Sequence, residues 1–354
     1  MKQVFLESHN IKNQFNGFGQ FNYHLIKGLY HAQIEDFKMT LHAKNTKPLK
    51  DEFSHYFDYK TYRPITRKPF FRIRKKYDVW HSLNQNIKIE PYYKIPYVLT
   101  VHDVNFIDEV SDDMNHKVNL RFKEKLNRSH AITYISEFAK ASTHQHFEVP
   151  NVPEYVIYNG NPITDILDNT NNVKPVTNRP YLFFIGGLTK RKNPHALVQM
   201  LEHLPDFDLV LAGDTSDDYV STILQDAIKK TNTKNRVHII GKINKEEKQF
   251  YLKNCAAFVF PSLLEGFGIP PIEAMRFGKP VFLSNLTSLP EIGGEHAFYW
   301  NHFEPKYMAS IFEEGMHQFE INKEIYTKNY TKRALNFNWN DAALQYADVY
   351  RSLL

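Results

Sequence analysis

Pro261-Ser262-Leu263-Leu264-Glu265-Gly266-Phe267-Gly268-Ile269-Pro270-Pro271-Ile272-Glu273-Ala274-Met275 sets two glutamates eight positions apart, with two glycines and two prolines between them. The apolar run 256–260 just before it reads as a buried parallel strand. Pro270 and Pro271 suit the first turn of a helix, where a missing N–H costs little. Gly278 is placed to end that helix, and residues 280–283 begin another strand. One carboxylate is therefore expected in a glycine-rich loop and the other in the first helical turn. Such a loop brings backbone N–H groups close to an anionic or hydroxylated ligand, and the helix dipole adds to the attraction.

The same strand–loop–helix grammar runs through the chain. Short β-branched or aromatic runs at 3–6, 38–41, 79–82, 97–101, 131–134 and 155–158 read as strands in the first half. Runs at 181–185, 209–212, 237–240, 256–260 and 281–284 do so in the second. Continuous apolar strands with helical patterns between them predict parallel sheets covered on both faces. The fold class expected is α/β, with two doubly wound, Rossmann-like domains facing a cleft, and ligands at the carboxyl ends of the strands. The boundaries read as 1–163 for the first domain, 164–179 for a polar linker rich in Asn and Asp, and 180–338 for the second domain. Residues 339–354 read as a final helix, capped by Asn340 or Asp341, that crosses back to the first domain.

Composition narrows the function classes. With 354 residues and 42% hydrophobic content, two real cores can form. A net charge of +5 favours small anionic ligands or a membrane surface over committed nucleic-acid binding. The single cysteine, Cys255, excludes an internal disulfide framework and suits a reducing compartment. Glu7 interrupts the first apolar run at once, so no signal peptide is expected, and no run of about 18 apolar residues occurs. A cytoplasmic location follows, with peripheral attachment to the inner face of the plasma membrane as its extension.

The segment 260–275, followed by Gly278-Lys279-Pro280-Val281 and by Ser284-Asn285-Leu286-Thr287-Ser288-Leu289-Pro290-Glu291, resembles the family 4 retaining glycosyltransferases, and most closely their bacterial mannosyltransferase-like members. The resemblance covers the second half closely and the first half through scattered motifs. It implies a GT-B architecture, retention of anomeric configuration, and catalysis without a metal or cofactor. It implies that Glu265 contacts the donor sugar, and that the backbone of Gly266, Phe267, Gly268 and Ile269 holds sugar hydroxyls and phosphate. Glu273, by the same resemblance, accepts from the ribose hydroxyls. The donor implied is a nucleotide sugar, GDP-hexose favoured and UDP-hexose the alternative; the acceptor is a glycan or lipid-linked oligosaccharide of a surface polysaccharide.

The phosphate clamp is expected from Ile185-Gly186-Gly187-Leu188-Thr189-Lys190-Arg191-Lys192-Asn193, in which a strand ends at the glycines and Asn193-Pro194 caps and opens a helix. Lys192 matches the family's phosphate-binding lysine. Gly187 stands where many members carry an arginine, so either Arg191 or Lys190 substitutes or the clamp has one cation fewer. In the first half, Gly17 and Gly19 of Asn16-Gly17-Phe18-Gly19-Gln20 let the backbone approach a ligand ahead of a helix starting near Phe21, and the resemblance turns this loop toward donor phosphates and acceptor. His102 in Thr100-Val101-His102-Asp103 matches a histidine that contacts the transferred sugar, while Asp103 reads as a turn cap.

Other features carry less. Asp206-Phe207-Asp208 has the spacing of metal-dependent transferases of another fold, but it follows Pro205 and reads as a turn. The 17 histidines show no two-ligand helical spacing with a third partner, so no metal site is expected. Residues 63–76, from Arg63 to Lys76, hold seven basic residues interleaved with Pro64, Phe70, Phe71 and Ile73. They suit an anionic membrane surface or a lipid diphosphate, or equally a mobile basic loop. Against the transferase stand another enzyme class, GT-B phosphorylases or sugar-nucleotide epimerases, and a non-enzyme class, a catalytically degenerate scaffold or partner subunit that binds sugar nucleotides.

Overall fold

The computed structural model describes residues 1–14, 16–168, 170 and 172–354. They form two units, one from residues 1–162 and 338–354, the other from residues 163–337. Unit 1 holds the strands Lys2–Glu7 (β1), Phe37–Ala43 (β2), Asp58–Thr61 (β3), Val79–Ser82 (β4), Tyr97–Val101 (β5), Ala131–Tyr134 (β6) and Glu154–Val156 (β7). Unit 2 holds Tyr181–Ile185 (β8), Asp208–Ala212 (β9), Val237–Gly241 (β10), Ala257–Phe260 (β11), Val281–Ser284 (β12) and Phe298–Trp300 (β13). The sheet orders are β3-β2-β1-β4-β5-β6-β7 and β10-β9-β8-β11-β12-β13. Each named pairing is parallel, with Val4 opposite both Met39 and Val79, and Phe183 opposite both Val210 and Phe258. This is the α/β, Rossmann-like pair of sheets that the apolar strands predict.

The long apolar runs set the central strands. Every residue of β4, β5, β6, β9, β11 and β12 is buried, which only a sheet covered on both faces allows. Two strands escape the sequence pattern. β3 is half-buried to exposed and β13 is three residues long, both at sheet edges, so neither needs a continuous apolar run. The expected strand at 155–158 lies one step earlier, as Glu154–Val156, because Asn159 and Asn161 already belong to the buried turn that follows.

Three local readings are corrected. The Asn16–Gln20 segment is the start of the Gly17–His31 helix rather than a loop before it, since the Asn16 side chain accepts from the Gly19 N–H at 2.8 Å and caps the helix there. The last helix, Trp339–Arg351, is capped by Asn338, whose side chain accepts from the Asn340 N–H, and not by Asn340 or Asp341. The polar stretch 164–179 lies against unit 2. Leu167 N–H donates to Gln249 Oε1 at 2.9 Å, Gln249 Nε2 donates to the Asp165 carbonyl, and Thr177 donates to Asp208. Asn169 and Asn171 of that stretch lie outside the described residues.

The Trp339–Arg351 helix belongs to unit 1 for reasons visible in its side chains. His81, on β4, sits between Tyr350 Oη (2.8 Å from Nδ1) and Thr100 Oγ1 (2.7 Å from Nε2), and Thr100 reaches Thr133 at 2.7 Å and Tyr346 at 3.4 Å. Burial, with His102 nearby, lowers the His81 imidazole to about 3, so it is neutral and serves as a hydrogen-bonding spacer. On the other side the helix lies directly on Gly28 of the Gly17–His31 helix. A Cβ at Gly28 would come 2.5 Å from the Trp339 carbonyl oxygen and 2.9 Å from Ala343 Cβ. Gly28→Ala should therefore destabilise unit 1 by about 1–3 kcal/mol through overpacking. A denaturant titration followed by unit 1 tryptophan fluorescence checks this, and an unchanged midpoint would remove the close helix contact from the account.

Candidate active site

In unit 2 the strand order reverses between β8 and β11, so the loops leaving their carboxyl ends diverge and open a crevice at that edge. The loop after β8 is tightly built. Gly213 lies at φ +148°, and a Cβ there would fall 1.7 Å from the Gly186 carbonyl oxygen; only glycine lets the ends of β8 and β9 approach so closely. Leu188 N–H then donates to the Asp214 carbonyl, and Lys190–Lys192 form a single 3-10 turn. Asn193 ends the turn in the left-handed conformation (φ 57°, ψ 36°) and is buried. It precedes the Pro194–Leu201 helix without making a side-chain cap, so its work is to turn the chain.

The loop after β11 meets this one through backbone and side-chain contacts. Leu263 N–H donates to the Arg191 carbonyl at 2.8 Å, Arg191 Nη1 donates to the Leu264 carbonyl at 2.5 Å, and Lys192 Nζ is hydrogen-bonded to Glu265 Oε1. Arg191 also stands 3.9 Å from the other Glu265 oxygen, and Lys192 lies 5.0 Å from the centre of the Phe260 ring. Glu265 is 8% exposed, so its charge is balanced by two cations in a site nearly closed to water. Of the two residues that could stand in for an arginine at 187, Arg191 reaches the acidic loop; Lys190 lies beside His195, where burial and then the lysine charge hold the imidazole below its ordinary range. A Cβ at Gly187 would make only an ordinary contact with Thr189 Cγ2 at 3.8 Å, so crowding does not dictate the glycine.

Beyond Glu265 the chain turns at Gly268 (φ +113°), where a Cβ would press on Leu289 Cδ2 at 2.9 Å, and enters the Ile269–Met275 helix. Pro270 and Pro271 have no amide proton, so Ile269 and Ile272 carry the N–H groups of the first turn. Glu273 is the fifth helical residue rather than part of the first turn. It is buried and paired with Lys248 Nζ at 2.5 Å, a partner from a neighbouring helix, Lys245–Asn254, that sequence reasoning missed. Thr287 and Ser288 are also positioning residues. Thr287 Oγ1 accepts from the Glu265 N–H at 3.1 Å, and Ser288 Oγ lies within bonding distance of the Glu265 and Phe267 carbonyls (3.0 and 2.8 Å). Thr287 holds this place at φ +56°, unusual for a β-branched residue. The run Thr287–Glu291 carried a resemblance without showing that its hydroxyls hold the acidic loop.

In unit 1, His102 follows β5 and is 5% exposed. Its Nε2–H donates to the Leu83 carbonyl at 2.9 Å, the edges of Phe18 and Phe21 meet the ring, and burial pushes it down to about 4. It is neutral, with Nδ1 as the acceptor. Asp103 Oδ1 accepts from the Asn105 N–H, the turn cap the sequence suggests. Gly19 is required by packing, since a Cβ would meet the Asn13 carbonyl at 1.8 Å, whereas Gly17 is open. Asp208 is structural: it accepts from Thr177 and His238 and pairs with Arg179 at 2.9 Å. Burial raises the Cys255 thiol to about 12.

The glycosyl transferases group 1 family matches residues 166–335, the span that contains both loops. The O-antigen chain mannosyltransferase B of Escherichia coli is 28% identical over 178 residues, 49% of this chain and 46% of that protein. The chain thus spans about half the length of this relative. The O-antigen chain mannosyltransferase RfbU of Salmonella typhimurium is 25% identical over 251 residues, 67% of this chain and 69% of its own length. Among solved structures, Anabaena Alr3699/HepE in complex with UDP-glucose superposes with a TM-score of 0.72 at 19% identity, covering 99% of this chain and 100% of that one. At that identity the likeness speaks to the fold, which is of the GT-B type. Taken with the paired cationic and acidic loops, these matches show that the chain carries a glycosyl transferases group 1 domain within its second unit.

Proposed function

We propose that the protein moves a hexose from a nucleoside diphosphate sugar to a glycan or lipid-linked glycan, retaining the anomeric configuration. GDP-mannose is the favoured donor and a UDP-hexose the alternative. The observation that carries this reading is the contact of Lys192 and Arg191 with Glu265 at the strand-order reversal of unit 2. Departure of a nucleoside diphosphate puts negative charge on phosphate and positive character on the anomeric carbon. A site with cations on one loop and a carboxylate on the other supplies both complements. On donor binding Lys192 and Arg191 turn to the diphosphate, Glu265 accepts from sugar hydroxyls, and Glu273, released from Lys248, takes the ribose. The C1–O bond to phosphate breaks as the acceptor oxygen bonds to C1 on the same face, and the acceptor proton passes to the departing phosphate oxygen. His102 takes part as a neutral hydrogen-bond acceptor to the sugar. The lysine and arginine do the charge work assigned to a metal in other transferases, so EDTA leaves turnover unchanged. The mannosyltransferase names of the two bacterial relatives favour mannose and surface polysaccharide, and the UDP-glucose in the Anabaena protein keeps uridine open.

Calorimetry against GDP, UDP and ADP tests the donor. Lys192→Ala should weaken nucleotide affinity by about 1.5–3 kcal/mol, the worth of a hydrogen bond to a charged group. Glu265→Ala should lower turnover by roughly 10²–10³-fold while leaving the melting profile that of a folded protein. Full activity of the Glu265 variant refutes its role; nucleotide binding without transfer to any acceptor identifies a scaffold instead.

We also propose that unit 1 docks on an anionic membrane surface through residues 63–76, which would place the enzyme on the cytoplasmic leaflet. Among the described residues no helix is long and apolar enough to cross a membrane. Phe70 is 85% exposed, Phe71 52% and Ile65 46%, set among Arg63, Arg67, Lys68, Arg72, Arg74, Lys75 and Lys76. The patch extends through Arg74 over Tyr92 (4.9 Å) and Lys76 over Tyr93 (4.8 Å), two further exposed aromatics. Wild-type protein should sediment with vesicles containing phosphatidylglycerol and not with pure phosphatidylcholine. Neutralising Arg72, Arg74 and Lys75, or replacing Phe70 and Phe71 by Ser, should abolish sedimentation; retention by both variants removes the patch from consideration.

A further inference from the structure

Unit 1 repeats the topological feature that places the donor loops in unit 2. In its order β3-β2-β1-β4-β5-β6-β7 the reversal falls between β1 and β4, so a crevice opens at their carboxyl ends. A cavity of about 250 Å³ lies among residues that follow those two strands. His9 comes two residues after the end of β1, and Asn84, Ile87 and Lys88 follow β4; Phe18 and Arg67 complete the lining that matters here.

The polar groups of this cavity are arranged rather than scattered. Glu7, the last residue of β1, is wholly buried and accepts from His9 Nδ1 at 2.8 Å and from His42 Nδ1 at 2.8 Å. Burial alone would raise its carboxyl, but the bonds from His42 and His9 outweigh that and hold it below the ordinary value, so it stays a carboxylate. A carboxylate only accepts, which fixes the proton of each imidazole on Nδ1. The other ring nitrogen of His9, Nε2, lies on the far side of the ring from Glu7, in a residue lining the cavity. The ring is held flat against Tyr62 (4.9 Å, 9° between planes), and the Arg67 guanidinium lies 5.6 Å from the same Tyr62 ring. Asn84 is buried with Oδ1 accepting from the Asn86 N–H at 2.6 Å, which orients Nδ2 as a donor. Among the described residues neither Arg67 nor Lys88 is paired with a carboxylate. One imidazole held in place, one oriented donor, two uncompensated cations and the apolar faces of Phe18 and Ile87 match a sugar ring bearing an acidic substituent.

We propose that this cavity binds the acceptor as an acidic sugar, with a hydroxyl hydrogen-bonded to His9 Nε2 and a carboxylate or phosphate held by Arg67 and Lys88. Only the word acceptor rests on the transferase reading; the ligand class rests on the cavity. Glu7 is a positioning residue that holds the His9 ring, and His42 holds Glu7.

The test is calorimetric titration of the full chain with methyl α-mannoside, methyl α-glucuronoside, mannose 6-phosphate and inorganic pyrophosphate, with GDP titrated in the same samples. The glucuronoside, the sugar phosphate, or both should bind about tenfold more tightly than the neutral mannoside. Whichever does so identifies the acidic group. Joint replacement Arg67→Ala and Lys88→Ala, both exposed positions, should erase that preference. His9→Gln should weaken every sugar alike, and GDP affinity should be unchanged in all these variants. Equal binding of neutral and acidic sugars overturns the proposal, as does a preference that survives loss of both cations. Pyrophosphate binding as tightly as the acidic sugars overturns it too, because the cavity would then be a phosphate site with no part for the ring. Sugar binding as described in a protein that fails to bind GDP would instead sink the donor reading and leave this one standing.

Discussion

The ion pair between Lys192 and Glu265 is the constraint on which the second unit's loops depend. The lysine side chain is 13% exposed and the glutamate 10%. Either charge alone in that setting would carry a desolvation penalty of roughly several kcal/mol, so the loops after β8 and β11 must meet. The backbone contacts around the pair follow from that meeting: Leu263 to Arg191, Arg191 to Leu264, and Thr287 and Ser288 against the acidic loop. The pair also sets what the site can accept. A ligand that takes Lys192 must leave Glu265 with other donors, or the carboxylate is stranded. A diphosphate joined to a polyhydroxylated ring satisfies both demands at once, whereas a bare anion satisfies only one.

Sheet topology explains why these residues are found together although 73 positions separate them. In a doubly wound parallel sheet the chain builds outward in one direction, returns, and builds in the other; only the two strands at the reversal send their following loops apart. In unit 2 those strands are β8 and β11, and the cationic and acidic loops are the ones that follow them. In unit 1 they are β1 and β4, followed by the His9 turn and by the Asn84–Lys88 segment. The same geometric rule thus selects two sets of polar residues that share no motif.

Much of this was legible because central strands leave a strong trace. Runs such as Ala257–Phe260 and Tyr181–Ile185 are apolar along their whole length, a pattern that only burial on both faces requires, and their positions locate the loops between them. Lys192, Arg191 and Glu265 were readable as a site because glycines and prolines bracket them. What the sequence hid were partners supplied by distant elements. Nothing near Lys248 marks it as the counter-ion of Glu273, and nothing around His9 announces that Glu7 and His42 will meet it across two strands. Edge strands escaped for the opposite reason: Asp58–Thr61 has one side open and so no apolar pattern to show. The helix caps at Asn16 and Asn338 depended on single side-chain bonds, which local propensity places only to within a few residues.

Two buried glutamates, Glu7 at the end of β1 and Glu265 in the loop after β11, differ in what surrounds them. Glu7 is satisfied by two imidazole N–H donors, His42 lying wholly buried and His9 nearly so, and its bonds run within the packed interior beside Tyr62. Its partners are imidazoles packed against other rings, with no long flexible arm to turn elsewhere. Glu265 is satisfied by the end of a lysine chain and the rim of an arginine, groups that can swing to another anion at modest cost in packing. The first arrangement fixes the orientation of a ring; the second holds a cation on a flexible arm. Orientation belongs to the imidazole cluster and exchange to the ion pair. The roles proposed for the two units rest on that difference in partner rather than on any difference in the carboxylates.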